Sequence, residues 1–218
     1  MADWLSYRAS DFLLFSERVY WRLFERLNEA IWLWPLAATT AVLAGLVLLY
    51  RRPRHAQRAM LVLLSVSWAA SGLLFVWQIY APVHLGMPYL APFFAVEAVL
   101  LLCAAAARTE TWFSRTGLLL ISGACLWPVL APVFGRPFVQ AEVFGTAPDP
   151  VAVATLGLAL CLRSARWRFG LMLIPALWLL QSAVTLWVLS GWAALPPAAA
   201  VAVALVGALW RTKARQPA

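Results

Sequence analysis

Glu97 is the residue best placed to do chemistry in this sequence, because it is the acid that lies well inside an uncharged apolar run, from Pro88 to Ala107. If this run crosses a bilayer, Glu97 sits near the middle, where an ionised carboxylate costs roughly 2.5 to 3.5 kcal/mol. We therefore expect a neutral, hydrogen-bonded carboxyl group. Two roles remain open for it: a proton or cation relay, and a hydrogen bond that joins two helices.

Other polar and aromatic side chains fall at comparable or shallower depth in neighbouring apolar runs. Together with Glu97 they predict an outward-facing polar pocket, whose other members are Trp77, Gln78, Tyr80, His84 and Gln181. Such groups also link membrane helices by hydrogen bonds, which is the structural alternative. A His-x-x-Met pair, His84 with Met87, is too small a ligand set to predict a metal site.

The segment from Gly135 to Pro150, GRPFVQAEVFGTAPDP, is rich in residues that order a loop. Arg136 and Glu142 can pair across it, and Asp149 before Pro150 predicts the N-cap and first turn of a helix. A loop fastened in this way is either an ordered lid or a rigid connector before a short helix.

Known catalytic patterns are missing from the sequence. It contains no Gly-x-Ser-x-Gly, no His-Glu-x-x-His and no phosphate loop. The single lysine, Lys213, follows the last apolar run, which excludes a Schiff base inside the bundle, and His55 and His84 lie in loops, which argues against a haem held by two spanning histidines. We expect no enzymatic activity, cofactor, metal or nucleic-acid partner.

The composition requires a membrane rather than water around the fold. Of 218 residues, 64% are hydrophobic and 12% are charged, and the mean hydropathy is +0.80. Soluble domains are about half apolar and a quarter charged. Seven apolar runs predict an all-helical bundle, namely Ala30–Tyr50, Ala59–Tyr80, Pro88–Ala107, Thr116–Gly135, Pro150–Leu162, Gly170–Gly191 and Trp192–Trp210.

Positive charge predicts the orientation of these runs. With seven spans and the N-terminus outside, twelve of the seventeen basic residues lie inside, as the positive-inside rule requires. The 13-residue run Pro150–Leu162 is short, but without it the last two basic clusters would lie outside. We therefore predict an inner-membrane protein with an N-terminal segment over residues 1–29, a helix bundle over 30–210 and a basic cytoplasmic tail over 211–218.

An amphipathic helix is predicted before the first span. Between Ser16 and Glu29, charged residues recur at helical spacing while apolar residues from Val19 to Leu27 fill the other side. Ser16 is the expected N-cap, with Glu17 in the first turn. The helix either rests on the lipid headgroups, or covers an opening or docks a partner. Outer-side anchoring by Trp4, Trp21, Trp32 and Trp34 fits either role.

Small and kinking residues give two further expectations. Ala200, Ala204 and Ala208 form a small-residue stripe on the last span, suited to a second copy or a membrane partner. Prolines inside the spans, at Pro92, Pro128, Pro132 and Pro175, either frame a cavity or are the ordinary prolines of membrane helices.

Three blocks of sequence resemble a family of uncharacterised bacterial polytopic membrane proteins, known as a domain of unknown function. The blocks are SDFLLFSERVYWRLFERLNEAIW (10–32), WQIYAP (77–82) and GRPFVQAEVFGTAPDPVAVATLG (135–157). The resemblance spans nearly the whole chain and implies a bacterial inner-membrane protein, without assigning an activity.

The expected function is that of a small-solute or ion permease, or a channel-like protein. The alternative is an accessory or assembly subunit that docks a partner through its N-terminal helix and last span. A polar, water-accessible cavity reaching Glu97 would favour transport, whereas a solid core with an exposed small-residue face would favour the accessory role.

Overall fold

The computed structural model describes residues 15–51 and 53–213, and its regular elements there are helices. The α-helices are α1 (Glu17–Ile31), α2 (Leu33–Arg51), α3 (Pro53–Ala70), α4 (Met87–Ala106), α5 (Arg115–Leu126), α6 (Leu130–Val133), α7 (Pro148–Leu160), α8 (Ala165–Ser190) and α9 (Leu195–Lys213). A π-helix, Ser71–Tyr80, continues α3, and 3₁₀ turns cover Trp127–Val129, Phe138–Gln140 and Gly191–Ala194.

Several of these helices are long and apolar enough to cross a membrane. Four stretches meet that condition in the described chain: Arg54–Tyr80, Met87–Ala106, Arg115–Val133 and Ala165–Trp210. A fifth arises if α1 and α2, bent by 88° at their junction, are taken as one broken span. The last stretch holds both α8 and α9, which pack against each other on either side of the turn at Gly191.

The helices form a ring with one helix at its centre. Neighbouring pairs close the ring in the order α2, α3, α4, α8, α9, α5 and back to α2. Helix α7 packs against α3, α5, α8 and α9 at once, so it stands inside the ring. All 13 of its residues are buried.

The length and composition of α7 explain this central position. At 1.5 Å per residue its 13 residues span about 20 Å, which is short for a hydrocarbon core of about 30 Å. A helix that is apolar on every side lies either in a protein interior or in lipid, and one this short fits the interior of the ring. The chain enters it through a mostly buried segment, from Ala141 to Ala147.

Two predicted spans are less regular than a single α-helix. In the run Thr116–Gly135, α5 ends at Leu126 and a 3₁₀ turn and the short α6 follow, because Pro128 and Pro132 each lack the N–H that continues the ladder. In Ala59–Tyr80, the second half adopts π-type hydrogen bonding, shown by the bond from the Ala81 amide to the Val76 carbonyl (2.8 Å).

The amphipathic N-terminal helix is present as α1 and packs on the bundle. Tyr20, Leu23, Phe24 and Leu27 are buried as the stripe predicts. Two details differ from expectation. Val19 is 39% exposed, and Trp21, expected to anchor in headgroups, is 4% exposed.

The start of α1 also differs from its prediction. Ser16 precedes the helix in an extended conformation, but its side chain makes no capping hydrogen bond. The Glu17 carboxylate instead accepts hydrogen bonds from Trp21 Nε1 (3.2 Å) and Ser190 Oγ (2.7 Å), so it ties α1 to the end of α8. Trp4 and the end of the tail, residues 214–218, lie outside the described residues.

At the end of the ring opposite α1, basic residues and loops meet. Arg58 Nε donates to the Ala105 carbonyl (3.2 Å). Arg163 forms an exposed ion pair with Glu110 (2.7 Å), which joins the loop after α7 to the loop before α5. The alanine stripe of α9, at Ala200, Ala204 and Ala208, is buried within this chain. Its close packing is therefore used intramolecularly.

Candidate functional site

Asp149 lies in the first turn of the central helix α7 and is 1% exposed. Its carboxylate accepts hydrogen bonds from Trp178 Nε1 (2.8 Å) and Ser182 Oγ (2.7 Å), two residues one turn apart on α8. The predicted N-cap role is wrong, because the cap position is Ala147 and the Asp149 side chain bonds to a neighbouring helix instead. A carboxylate in the first turn is also favoured by the helix dipole.

Glu142 lies in the buried segment above α7 and is 6% exposed. Its Oε2 atom accepts a hydrogen bond from Trp127 Nε1 (3.2 Å), whereas Oε1 has no hydrogen-bonding partner among the residues described. Burial raises the pKa of the Glu142 carboxyl, and the nearby charge of Asp149 raises it further. Arg136 and the Trp127 hydrogen bond act in the opposite direction.

Arg136 and Glu142, predicted as an outer-loop pair, come together around a small cavity rather than in a direct ion pair. The Arg136 guanidinium lies 3.3 Å from the centre of the Trp21 ring, and its Nη1 donates to the Gln140 carbonyl (3.4 Å). Burial lowers the pKa of Arg136, which Glu142 opposes. The cavity has a volume of about 10 Å³, which suits about one water molecule.

Helix α1 holds this loop in place from above. Asn28 Nδ2 donates to the carbonyls of Val139 and Ala141, both at 2.8 Å, and Gln140 Nε2 donates to Glu25 (3.0 Å). The loop is thus fastened, as both expected kinds require, and α1 covers it.

A contact with α2 fixes the other end of the loop. Trp34 Nε1 donates to the Gly145 carbonyl (2.9 Å), and a Cβ on Gly145 would stand 2.6 Å from that of Ala38. Gly145 also has φ +95°, so both space and backbone conformation require glycine there.

Two buried tyrosines complete the group beneath α1. The rings of Tyr20 and Tyr80 meet edge to face at 5.8 Å. Tyr20 is within electrostatic range of Glu142, Asp149 and Arg136. We call these five residues, Tyr20, Tyr80, Arg136, Glu142 and Asp149, the acidic cluster.

Glu97 is fully buried on α4, inside the ring. Neither carboxyl oxygen has a hydrogen-bonding partner in the described part of the chain, in contrast to the expected hydrogen bond. One turn away, the Phe94 ring packs edge to face on Trp178 at 4.9 Å, and Trp178 donates to Asp149. The Phe94 and Trp178 rings therefore connect the helix that carries Glu97 to Asp149.

The six residues of the predicted polar pocket do not share one pocket. Trp77 is 54% exposed and Gln78 is exposed, whereas Glu97 and Tyr80 are buried. Gln181 lines an apolar groove between α4 and α8 and donates to Thr185 Oγ1 (3.0 Å).

His84 stays in the turn after the π-helix. Its ring packs against Tyr80 at 5.3 Å, and its Nδ1 accepts from the Gly86 amide (3.1 Å). Partial burial lowers the pKa of His84. This residue closes a turn, and its ring contacts are with Phe15 and Tyr80.

The sequence contained a signal for the acidic cluster that composition alone does not reveal. Asp149 opens an apolar run too short to span a membrane, a combination that favours a central, broken helix over a lipid-facing one. Trp178 and Ser182, four residues apart, place two donors on one face of α8.

The sequence identifies the family of this protein. The sequence matches a family of unknown function (DUF6064) over residues 17–216, nearly the whole chain, and the protein belongs to it. No curated protein and no solved structure matches the chain.

Proposed function

We propose that this member of the DUF6064 family is an ion or small-solute permease of the bacterial inner membrane. One observation carries the proposal: three carboxyl groups, of Glu97, Glu142 and Asp149, are buried inside a ring of apolar helices. Charged groups at such depth are costly, and in membrane proteins they mark ion and proton pathways.

The central helix supports the same proposal. A short helix that ends inside a bundle, beside polar groups, resembles the half-helices that form the substrate and ion sites of many transporters. Here the N-terminal turn of α7 carries Asp149, and the segment before it carries Glu142. The ion or solute would meet these groups after α1 and its loop move aside.

The proposed topology places α1 and the acidic cluster outside and the basic end in the cytoplasm. Seven helices, α2, α3, α4, α5, α7, α8 and α9, then run in alternating directions, with α7 reaching only part of the way. The gathering of Arg58 and Arg163 at one end of the ring supports this orientation.

Proteoliposomes loaded with a pH-sensitive dye test the function. Under an imposed potential we expect a proton or alkali-cation flux with the wild-type protein, and its loss in Glu97→Gln, which keeps the shape of the side chain. Glu29→Gln, on the exposed side of α1, is the matched control and keeps the flux. A folded wild-type protein that passes no protons, Na⁺, K⁺ or small solutes would overturn the proposal.

The accessory role is the second candidate, favoured by the close packing of the ring's interior. The α5 and α7 backbones touch at Gly117 and Gly157, which leaves no passage between these two helices. An accessory subunit would co-purify with a stoichiometric membrane partner and lack flux of its own. The proteoliposome assay with the isolated protein separates the two.

A further inference from the structure

The cavity between Arg136 and Glu142 brings together two unsatisfied atoms of opposite kind. Arg136 Nε is a donor and Glu142 Oε1 is an acceptor, and both are buried without a hydrogen-bonding partner among the described groups. Both side chains line the same cavity. Unsatisfied buried groups are uncommon in native proteins and usually indicate a bound water or ion.

Size and chemistry restrict the occupant. About 10 Å³ accommodates one water molecule and little more. The occupant has to accept from a guanidinium N–H and donate to a carboxylate, which a water molecule does and a bare cation does not. A cation would also be repelled by the neighbouring Arg136.

The rest of the cavity is apolar and excludes further water. Its other walls are Trp21, Trp127, Leu130, Phe134, Leu186, Ala193, Pro196 and Pro197. Arg136 is only half-buried, so its guanidinium reaches from this cavity towards the surface. Glu142 therefore lies one side chain away from that surface.

We infer that a single water molecule bridges Arg136 Nε and Glu142 Oε1, and that Glu142 exchanges protons with the α1 side of the membrane through it. On loading, the bridging water transfers a proton to the Glu142 carboxylate, and the hydroxide left beside Arg136 takes up a proton from a hydronium ion at the surface, which becomes water. On release, the same two transfers run in reverse. This inference rests on the proposed function, which sets the direction of proton transfer. It identifies the proton as the ion that enters the protein at the α1 end.

The charged and titratable groups around Glu142 are consistent with reversible loading. Arg136 favours the ionised carboxylate, and Asp149 on α7 favours the protonated one. Tyr20 on α1 faces the same group, and Glu17 on α1 acts through Arg136. Opposing charges on either side keep both protonation states accessible.

Infrared spectroscopy of the purified protein in lipid nanodiscs tests the inference without any transport assay. We expect a carboxylic acid band that disappears on alkaline titration, shifts promptly after transfer to D₂O, and is missing in Glu142→Gln. Arg136→Gln should move its titration midpoint upward by about one pH unit, since an opposite charge is removed. Glu29→Gln, with an exposed side chain, should leave the band unchanged.

The outcomes separate this inference from the proposed function. A Glu142 band that ignores bulk pH and D₂O while the protein stays folded would overturn the inference, whether or not flux is observed. A band that titrates, in a protein without flux, would support the exchange site and contradict the proposed permease function. Flux that is unchanged in Glu142→Gln would support the permease and place proton entry elsewhere.

Discussion

Gly117 and Gly157 bring the backbones of α5 and α7 into direct contact. A Cβ on Gly117 would stand 2.5 Å from the Gly157 carbonyl oxygen, and a Cβ on Gly157 would stand 2.6 Å from the Gly117 carbonyl oxygen. Small residues permit this approach in membrane bundles, where close packing and interhelical contacts replace the hydrophobic effect as the driving force. The pair fixes the central helix against the ring.

Gly157→Ala should therefore destabilise the protein, because backbone atoms have to move to admit the methyl group. We expect a loss of about 1 to 3 kcal/mol, the usual cost of overpacking, measured by thermal unfolding in detergent. Gly123→Ala, on the contacting helix α5, is the control, since nothing lies within 4 Å of its Cβ position. Equal melting temperatures for the two variants would contradict the close contact.

Replacing Asp149 with Asn should weaken the link between α7 and α8. The amide retains one acceptor oxygen, but its NH₂ group faces a donor, either Trp178 or Ser182. The expected cost is about 1 to 3 kcal/mol, since a buried donor is left unsatisfied. Glu110→Gln breaks only an exposed ion pair and should cost less than about 1 kcal/mol, so similar losses in both variants would argue against a buried Asp149 network.

The docking of α1 on the bundle can be tested with two single substitutions on its buried side and one on its exposed side. Leu23→Asp and Phe24→Asp bury a charge where apolar surface now packs, and each lost side chain is worth about 1.5 to 3 kcal/mol. Val19→Asp lies on the same helix but is 39% exposed. Proteolysis of α1 should become faster in the first two variants and remain near the wild-type rate in the third; faster cleavage of all three would show that α1 is loosely held.

Stability should fall as the pH rises through the pKa of Glu142. A carboxyl whose pKa is raised in the folded protein favours the protonated form, so its contribution is complete below the ordinary pKa of glutamate and is lost at higher pH. Between about pH 5 and about pH 9, Glu142→Gln should show a smaller decline in melting temperature than the wild type. Parallel declines would mean that Glu142 does not carry the effect.

Orientation can be measured on the full-length chain with single cysteines. After replacement of Cys103, Cys125 and Cys161, an impermeant maleimide added to intact cells should label a cysteine at Leu85, which is 77% exposed next to the α1 end. A cysteine at Arg166, exposed near the basic end, should react only after lysis. The reverse pattern would invert the proposed topology.

The sequence predicts the helical fold well, because apolar runs and charge clusters are local properties. The all-helical architecture and the amphipathic α1 follow from periodicity that neighbouring residues define. The kinks near Pro128 and Pro132 follow from proline chemistry. The neighbours of α7 do not follow from the local sequence, since they depend on which six helices close the ring.

The candidate site was predictable only in part for the same reason. Arg136 and Glu142 were expected together because they share one loop, and they do line one cavity. Asp149 was assigned to a cap because its partners, Trp178 and Ser182, are remote in sequence. Trp77 and Gln78 were expected in the polar pocket, but they lie on the exposed side of a π-helix, whose turn differs from that of an α-helix.

The wholly buried helix α7 also constrains how the protein is made. A segment of about 20 Å is too short to cross a hydrocarbon core of about 30 Å by itself, so we expect it to settle only when its neighbouring helices are present. Its wall is completed by α8 and α9, which leave the ribosome after it. Insertion of the centre is therefore a late event, and a chain interrupted before α8 would expose α7 to quality-control proteases.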